Sequence, residues 1–163
     1  MSTSNKQIKL SARPMGLPKL SDWEIICSAM PVPAEGQVLV KVLYLSIDPA
    51  MRGWMNEGKS YIPPVGIGEV MRAGGVGLVV ESNHPAFRKG EHVTGLLGVQ
   101  EYSVLSAEEL SKIDPSIAPL PLYLSTLGMP GMTAYFGLLN TGLPKEGETV
   151  VVSGAAGAVG SVV

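Results

Sequence analysis

The chain has 163 residues, of which 45% are hydrophobic and 16% charged, and its formal net charge at pH 7 is −2. This composition supports a packed core, and so small a charge gives no field that would attract nucleic acid or an anionic membrane. A single cysteine cannot form an internal disulfide or supply a structural zinc site, and no run approaches the roughly 18 apolar residues of a membrane span.

The chain begins with a polar segment. Residues 1–7 are predicted to be a loose tail, and residues 1–9 lack the apolar stretch of a signal peptide. We therefore expect a cytoplasmic protein that does not enter a membrane. The 20 glycines and 13 prolines favour short strands joined by tight turns over long helices.

Short strands follow the tail. Residues 38–46 predict a strand buried on both faces, because apolar side chains occupy both alternating sets and only Lys41 interrupts them. Three more strands are predicted at residues 77–82, 92–95 and 100–105, with a tight turn at residues 88–91. Several short strands at this spacing predict a mainly β domain, either a barrel or a sandwich.

The pattern changes after Pro119. Helices are predicted at residues 122–127 and 132–140, the second beginning after Pro130 and Gly131. A β-branched strand at residues 149–152 then runs into a glycine-rich loop. We place a domain boundary at about residues 115–125 and assign residues 1–120 to the β-rich domain and residues 121–163 to connecting helices and the start of a second domain.

The glycine-rich loop has the spacing GxxGxxG, with Gly154, Gly157 and Gly160 after the predicted strand. Glycines there let backbone N–H groups approach a pyrophosphate, and a following helix offers its positive N-terminus. We predict that these glycines, with Ala158 and Val159, bind a dinucleotide. The alternative is a tight strand-to-loop turn without a ligand. The chain stops at Val163, so we expect that it cannot complete a dinucleotide site alone.

Four stretches of the sequence resemble one enzyme family. They are RPMGLP at residues 13–18, YLSIDPAMRG at residues 44–53, LGMPGMTAYFGLL at residues 127–139 and GETVVVSGAAGAVGS at residues 147–161. They are similar to the zinc-free prostaglandin reductase, leukotriene B4 dehydrogenase and curcumin reductase branch of the medium-chain dehydrogenase/reductase superfamily. The resemblance implies a mainly β fold, with a GroES-like irregular barrel and a few helices, followed by the first strand and glycine loop of a truncated Rossmann domain.

The resemblance also implies a reaction. Members of this branch use NADP(H) to reduce a carbon–carbon double bond conjugated to a ketone or aldehyde, and the enolate formed needs hydrogen-bond donors and a proton. The expected partner is a small enone-type substrate, and the full-length protein is expected to be a homodimer. The alternatives are a quinone or enoyl-thioester reductase of the same superfamily, or a non-catalytic GroES-like binding module. We expect the 163-residue chain alone to be inactive.

The resemblance also places four residues of the first domain in the active site. The hydroxyl of Tyr61 would donate to the substrate oxygen or relay a proton; the alternative is an ordinary surface or core aromatic. Pro49 and Met51 would pack near the nicotinamide. Arg52 would order the loop or bind a phosphate, or it would simply pair with Asp48.

Two further pocket residues, Met129 and Thr133, would face the nicotinamide across the domain junction. The hydroxyl of Thr133 would bond the carboxamide, or it would bond back to the preceding helical turn. No metal is expected, since Ile67 stands where zinc-dependent relatives carry a ligand histidine. Cys27 is expected to be a small buried hydrophobe.

Overall fold

The computed structural model describes residues 4–58 and 60–163 and divides them into two units. The first unit extends to Asp114, and the second is Pro115–Val163. All described strands lie in the first unit, and the second contains helices and the glycine loop. The assignment of domains to residues 1–120 and 121–163 remains a prediction.

A five-stranded antiparallel sheet forms the centre of the first unit. Its strands are β3 (Gln37–Leu45), β4 (Gly75–Ser82), β5 (His92–Gly95), β6 (Tyr102–Ser106) and β7 (Ser111–Ile113), in the order β6-β3-β4-β5-β7. The four strands predicted from alternation match β3 to β6 to within two residues. The three-residue β7 was not predicted, because a strand so short has no readable alternation.

Strand β3 is buried on both faces only in its first half. Val38, Leu39 and Val40 are buried, whereas Leu43 and Tyr44 beyond Lys41 are exposed. The prediction of burial along the whole strand is therefore wrong. The partner strand β6 pairs only with Gln37 to Lys41, so the second half of β3 lacks a neighbour on that side.

A two-stranded ribbon replaces the loose tail predicted for residues 1–7. Strands β1 (Ser4–Leu10) and β2 (Trp23–Ala29) pair antiparallel over their whole length; residues 1–3 lie outside the described residues. Strand β1 is anchored by the buried Asn5. Its Nδ2 donates to the carbonyl of Tyr102 at 2.8 Å, and the N–H of Tyr102 donates to its Oδ1 at 2.9 Å. One amide thus joins the ribbon to β6 as a backbone peptide would.

Replacing Asn5 by alanine is expected to lower the free energy of unfolding of the chain by about 2–4 kcal/mol, since it leaves a partly buried backbone donor and acceptor of Tyr102 unpaired. Urea denaturation of the chain measures the change. The same substitution at the exposed Asn140 is the control, with an expected change within about 0.5 kcal/mol. Equal losses at both positions would show that the Asn5 amide does not anchor the ribbon.

The strands do not close into a barrel in the part of the chain that is described. The ribbon and the five-stranded sheet are separate sheets. The isolated bridges Gln7–Gln100 and Lys9–Val70 join β1 to residues that precede β6 and β4 in the chain. The mainly β GroES-like fold is confirmed, and the closed form of the barrel is not.

Two apolar clusters hold the first unit together. One lies between β3, β4 and β5 and contains Val40, Val79 and Val93. The other contains Leu10 of the ribbon, Met51 of the short helix α1 (Ala50–Trp54) and Met55, which directly follows that helix. The second cluster therefore positions α1 against the ribbon, where the predicted site residues begin.

The second unit is helical. A 3₁₀ turn, Leu120–Leu124, precedes α2 (Met129–Phe136), which continues as a π-helical turn, Gly137–Gly142. The expected helix start after Gly131 is wrong by three residues, because proline is accepted in the first turn, where its missing N–H would have no intrahelical partner. No helix among the described residues is long and apolar enough to cross a membrane.

Two further expectations are corrected. Residues 149–152 form no ladder with any described residue, and Val151 is exposed. A strand needs a neighbour for its backbone groups, and no strand is described within the second unit. Cys27 is exposed rather than buried, since β2 belongs to a ribbon and pairs only with β1.

Candidate functional site

The chain leaves β3 through a tightly bonded turn into α1. The hydroxyl of Ser46 donates to Oδ1 of Asp48 at 2.8 Å, and the N–H of Met51 donates to the Asp48 carbonyl at 3.0 Å. Pro49 already has helical dihedral angles, with φ −54° and ψ −32°. The turn therefore fixes Pro49 in an exposed position and directs Met51 into the core.

Arg52 binds a neighbouring segment and not Asp48. Its Nη2 donates to the carbonyls of Pro14 and Gly16 at 3.1 and 2.9 Å, and its Nε donates to Gly16 at 3.1 Å. Its Nη1 donates to Oδ1 of Asn56 at 2.6 Å. The alternative of an Arg52–Asp48 ion pair is therefore wrong. Four hydrogen bonds to protein acceptors also leave this guanidinium little capacity for a phosphate.

Arg13 makes the reciprocal connection. Its Nη1 donates to the carbonyls of Met55 at 2.9 Å and Val65 at 2.5 Å. Its Nε lies 3.5 Å from Oε1 of Glu57, too poorly placed for a hydrogen bond. The two arginines thus tie the segment after β1 to both ends of the α1 region, each by bonding to backbone carbonyls.

Replacing Arg52 by lysine is expected to destabilise the chain by about 1–2 kcal/mol, because an ammonium group cannot present the planar fork that bonds Gly16 twice. Urea denaturation measures the loss. The control is Lys112→Met, which removes an exposed ion pair to Glu91 (2.7 Å) and should cost less than about 1 kcal/mol. A loss no larger for Arg52→Lys than for Lys112→Met would contradict the role given to this fork.

An apolar cavity of about 350 Å³ lies beside α1 within the first unit. The ribbon, the segment that the arginines hold and the turn after β3 all contribute to its wall, and all the side chains that line it are apolar. They include Ile8, Leu20, Ile25, Ile47, Met51 and Met71. Of the predicted pocket residues in this unit, Met51 lines the cavity, and Pro49, Arg52 and Tyr61 are not part of its lining.

Tyr61 lies on the loop after α1, with 83% of its surface exposed. Its phenol oxygen accepts a hydrogen bond from the indole N–H of Trp54, at a donor–acceptor distance of 3.2 Å. The cation of Arg72 lies 5.4 Å from the centre of the Trp54 ring. The phenol is therefore held by a side chain of α1, the helix that also carries Met51.

The turn that corresponds to the zinc-ligand position is closed by Glu69. Its Oε2 accepts the N–H of Gly66 at 2.7 Å, and Ile67 projects from the turn as an exposed side chain. Across residues 4–58 and 60–163, no three His, Cys, Asp or Glu side chains come close enough to bind one metal ion.

In the second unit, Met129 and Thr133 lie one turn apart on α2, and both are exposed. The Thr133 hydroxyl donates to the Met129 carbonyl at 2.8 Å. This is the back-bonding alternative to a carboxamide contact. It occupies the hydroxyl hydrogen and leaves the oxygen lone pairs free to accept a hydrogen bond from an amide.

The glycine loop is folded around the carbonyl of Gly154. The N–H of Gly157 donates to that carbonyl at 2.8 Å, and the backbone of Gly160 passes so close that a Cβ there would overlap the same oxygen. Gly154 has φ +63°, in the left-handed region that favours glycine. The shape of the loop therefore requires glycine at positions 154 and 160.

A groove of about 570 Å³ brings the loop and α2 together within the second unit. Its lining includes Thr133 and, from the loop, Gly154, Gly157, Val159 and Gly160. Met129 and Ala158 are not part of this lining. The N–H groups of Ala155, Ala156 and Ala158 have no acceptor among the described residues. The loop can therefore offer several backbone donors to an anion.

Two contributors to the first unit's site were given no role from the sequence. Arg13 stands in a stretch that carried the family resemblance, yet nothing in its spacing pointed to carbonyls 42 and 52 residues away. Trp54, which directly follows another of those stretches, was assigned no role either. The proximity of its indole N–H to Tyr61 depends on the loop between them, which the sequence pattern leaves undefined.

The first unit matches a known domain family. The profile described as the N-terminal domain of oxidoreductase aligns with residues 6–113. This range contains all the strands except the first two residues of β1, together with α1, the apolar cavity and Tyr61.

Individual relatives match nearly the whole chain. An NADPH-dependent curcumin reductase of Escherichia coli is 46% identical, covering 98% of this chain and 46% of that protein. A 2-alkenal reductase (NADP(+)-dependent) of Nicotiana tabacum is 46% identical, covering 98% of this chain and 48% of that protein. The crystal structure of CurA in complex with NADPH from Vibrio vulnificus has a TM-score of 0.87 and 45% identity, covering 96% of this chain and 47% of that one. The chain thus spans a little under half the length of these relatives.

Proposed function

The chain belongs to the branch of the medium-chain dehydrogenase/reductase superfamily that contains the curcumin and prostaglandin reductases, and from this premise we propose that the full-length protein is an NADPH-dependent, zinc-independent enone reductase. The observation that carries the proposal is the 46% identity to two NADP-dependent reductases over 98% of the chain. The substrate would be an α,β-unsaturated ketone or aldehyde.

The residues of the glycine loop fit the cofactor. The N–H groups of the loop that have no acceptor among the described residues would bond a pyrophosphate, and Gly157, Val159 and Gly160 line the groove beside them. Thr133, which also lines the groove, retains acceptor capacity for the carboxamide N–H. The nicotinamide, when bound, supplies the hydride for the β-carbon of the double bond.

The first unit would hold the substrate. An apolar cavity of about 350 Å³ is within the range of small-molecule sites, and an uncharged alkyl or aryl group would exclude water from it. Met51 would contact this apolar part. Pro49 is exposed at the start of α1, where it would border the nicotinamide.

Tyr61 would act on the carbonyl end. Hydride addition to the β-carbon moves negative charge onto the carbonyl oxygen, and a phenol O–H directed at this oxygen stabilises the charge as it develops. The α-carbon then takes a proton that comes ultimately from water. Arg52 would act only indirectly. Its donors bond Pro14, Gly16 and Asn56, and they would hold in place the segment whose Leu20 lines the cavity.

Zinc independence rests on the ligand count. The exposed Ile67 offers no lone pair to a metal, and Glu69 is bonded to Gly66. The test is turnover of the full-length protein after dialysis against a strong chelator. Unchanged turnover is expected, and a loss that zinc restores would contradict this part of the proposal.

A substrate panel tests the reaction class. We expect the full-length protein to oxidise NADPH in the presence of enones and alkenals. With quinones and enoyl thioesters of matched size, the oxidation should be slower. Faster turnover of a quinone or thioester would replace the proposal by one of those two activities. If the coding frame ends after Val163 and no substrate is turned over, the non-catalytic binding module replaces the proposed reductase.

Homodimer formation and a cytoplasmic location remain predictions from the resemblance.

A further inference from the structure

The phenol of Tyr61 is in contact with one hydrogen-bond donor, the indole N–H of Trp54, at 3.2 Å. An indole N–H can only donate, so the phenol oxygen is the acceptor in this bond. The hydroxyl hydrogen of Tyr61 is therefore not used by Trp54. It also has no acceptor among residues 4–58 and 60–163. The pair leaves a donor free for another molecule.

Trp54 itself is held firmly. Its ring packs against the apolar cluster that contains Met51 and Val65, and the cation of Arg72 lies over it at 5.4 Å. The guanidinium of Arg72 is fixed in turn by a 3.0 Å hydrogen bond to the carbonyl of Pro63. The indole thus has little freedom to turn its N–H elsewhere.

The backbone of Trp54 also closes the loop that carries Tyr61. The N–H of Val65 donates to the carbonyl of Trp54 at 2.8 Å, so both ends of the intervening loop meet at this residue. Within the loop, the exposed ring of Tyr61 is held by the indole N–H. Loss of that donor would leave the solvent-exposed phenol without a fixed orientation.

We propose that Trp54 is a positioning residue for Tyr61: its indole N–H occupies a lone pair of the phenol oxygen, so that the hydroxyl hydrogen is directed to the carbonyl oxygen of the substrate. The inference rests on the proposed enone reductase function. Accepting one hydrogen bond also polarises the O–H group and makes it a stronger donor in the other direction. Trp54 therefore acts through Tyr61 and does not contact the reacting atoms.

The test is a double-mutant cycle in the full-length protein, with Trp54→Phe and Tyr61→Phe measured alone and together on one enone. Trp54→Phe keeps an aromatic ring and removes the N–H. It is expected to lower kcat about three- to tenfold, the effect of one hydrogen bond, with little change in KM for NADPH. In the Tyr61→Phe background it should have no further effect, because the group it positions is already absent.

A second variant separates positioning from folding. Benzothienylalanine at position 54 has the shape of tryptophan but sulfur in place of the N–H, and it should lower kcat as Trp54→Phe does while the melting temperature stays that of the parent. Equal losses from Trp54→Phe in the parent and in the Tyr61→Phe background would overturn the inference. Full activity of the benzothienylalanine variant would also overturn it. Either of these two results leaves the proposed function intact. If the parent protein turns over no enone, the inference and the proposed function both fail.

Discussion

Tyr61→Phe in the full-length protein is expected to lower kcat for enone reduction about a hundredfold, the usual cost of removing one donor to a developing oxyanion. The structure supports this effect because the phenol hydrogen is free while its oxygen is held by Trp54. KM for NADPH should change little, since the phenol is proposed to contact the substrate oxygen and not the cofactor. Steady-state kinetics with one enone at saturating NADPH gives both values.

The control for this prediction is Tyr135→Phe. It removes the same hydroxyl from an exposed tyrosine whose ring packs edge-on against Phe136 at 5.3 Å, outside the proposed catalytic machinery. We expect kcat to stay within about twofold of the parent, as for a surface change of a few tenths of a kcal/mol. If kcat for Tyr61→Phe equals that of the control, Tyr61 has no catalytic role and is an ordinary surface aromatic.

Gly160→Ala is expected to weaken NADPH binding by the full-length protein about ten- to a hundredfold. A Cβ at this position would overlap the Gly154 carbonyl oxygen and lie 3.1 Å from the Cα of Ala155. Both contacts are with backbone, so the loop itself must shift, at a cost of about 1–3 kcal/mol. The shift moves the N–H groups that would bind the pyrophosphate. Titration of NADPH fluorescence measures Kd.

Gly142→Ala is the matched control in the same unit. A Cβ at Gly142 would meet its nearest neighbour, the Gly137 carbonyl oxygen, at 3.4 Å, an ordinary contact, and Gly142 does not line the groove. Kd for NADPH should therefore stay close to that of the parent. If Gly160→Ala binds NADPH as tightly as the control does, the loop does not carry the pyrophosphate as proposed.

The sequence predicted the sheet better than the ribbon. Strand β3 is readable because its first residues are apolar on both faces, and β4 to β6 have β-branched cores between turn residues. Strand β1 is not, because Lys6, Gln7 and Lys9 give it the composition of a tail. It is held by its ladder with β2 and by Asn5, whose amide bonds the backbone of Tyr102, 97 residues away. A contact at that separation leaves no local signal.

The site residues also divide into those with a local sequence signal and those whose contacts are distant in the sequence. The glycine loop was identified from its own spacing, since its backbone geometry is a local property of Gly154, Gly157 and Gly160. The partner of Arg52 was not, because its acceptors are carbonyls, which every residue has and no sequence pattern marks. Strand 149–152 was predicted from composition, but a strand forms only where another supplies hydrogen-bond partners, and that depends on the rest of the sheet.

The proposal is tested most directly by the position of the transferred hydrogen. The full-length protein is given an enone and NADPH carrying deuterium on the transferred face of C4, and the product is analysed by NMR. We predict a saturated ketone with one deuterium on the β-carbon and a solvent-derived proton on the α-carbon. An allylic alcohol with deuterium on the carbonyl carbon, or no transfer from NADPH, would contradict the assignment of this chain to an enone reductase.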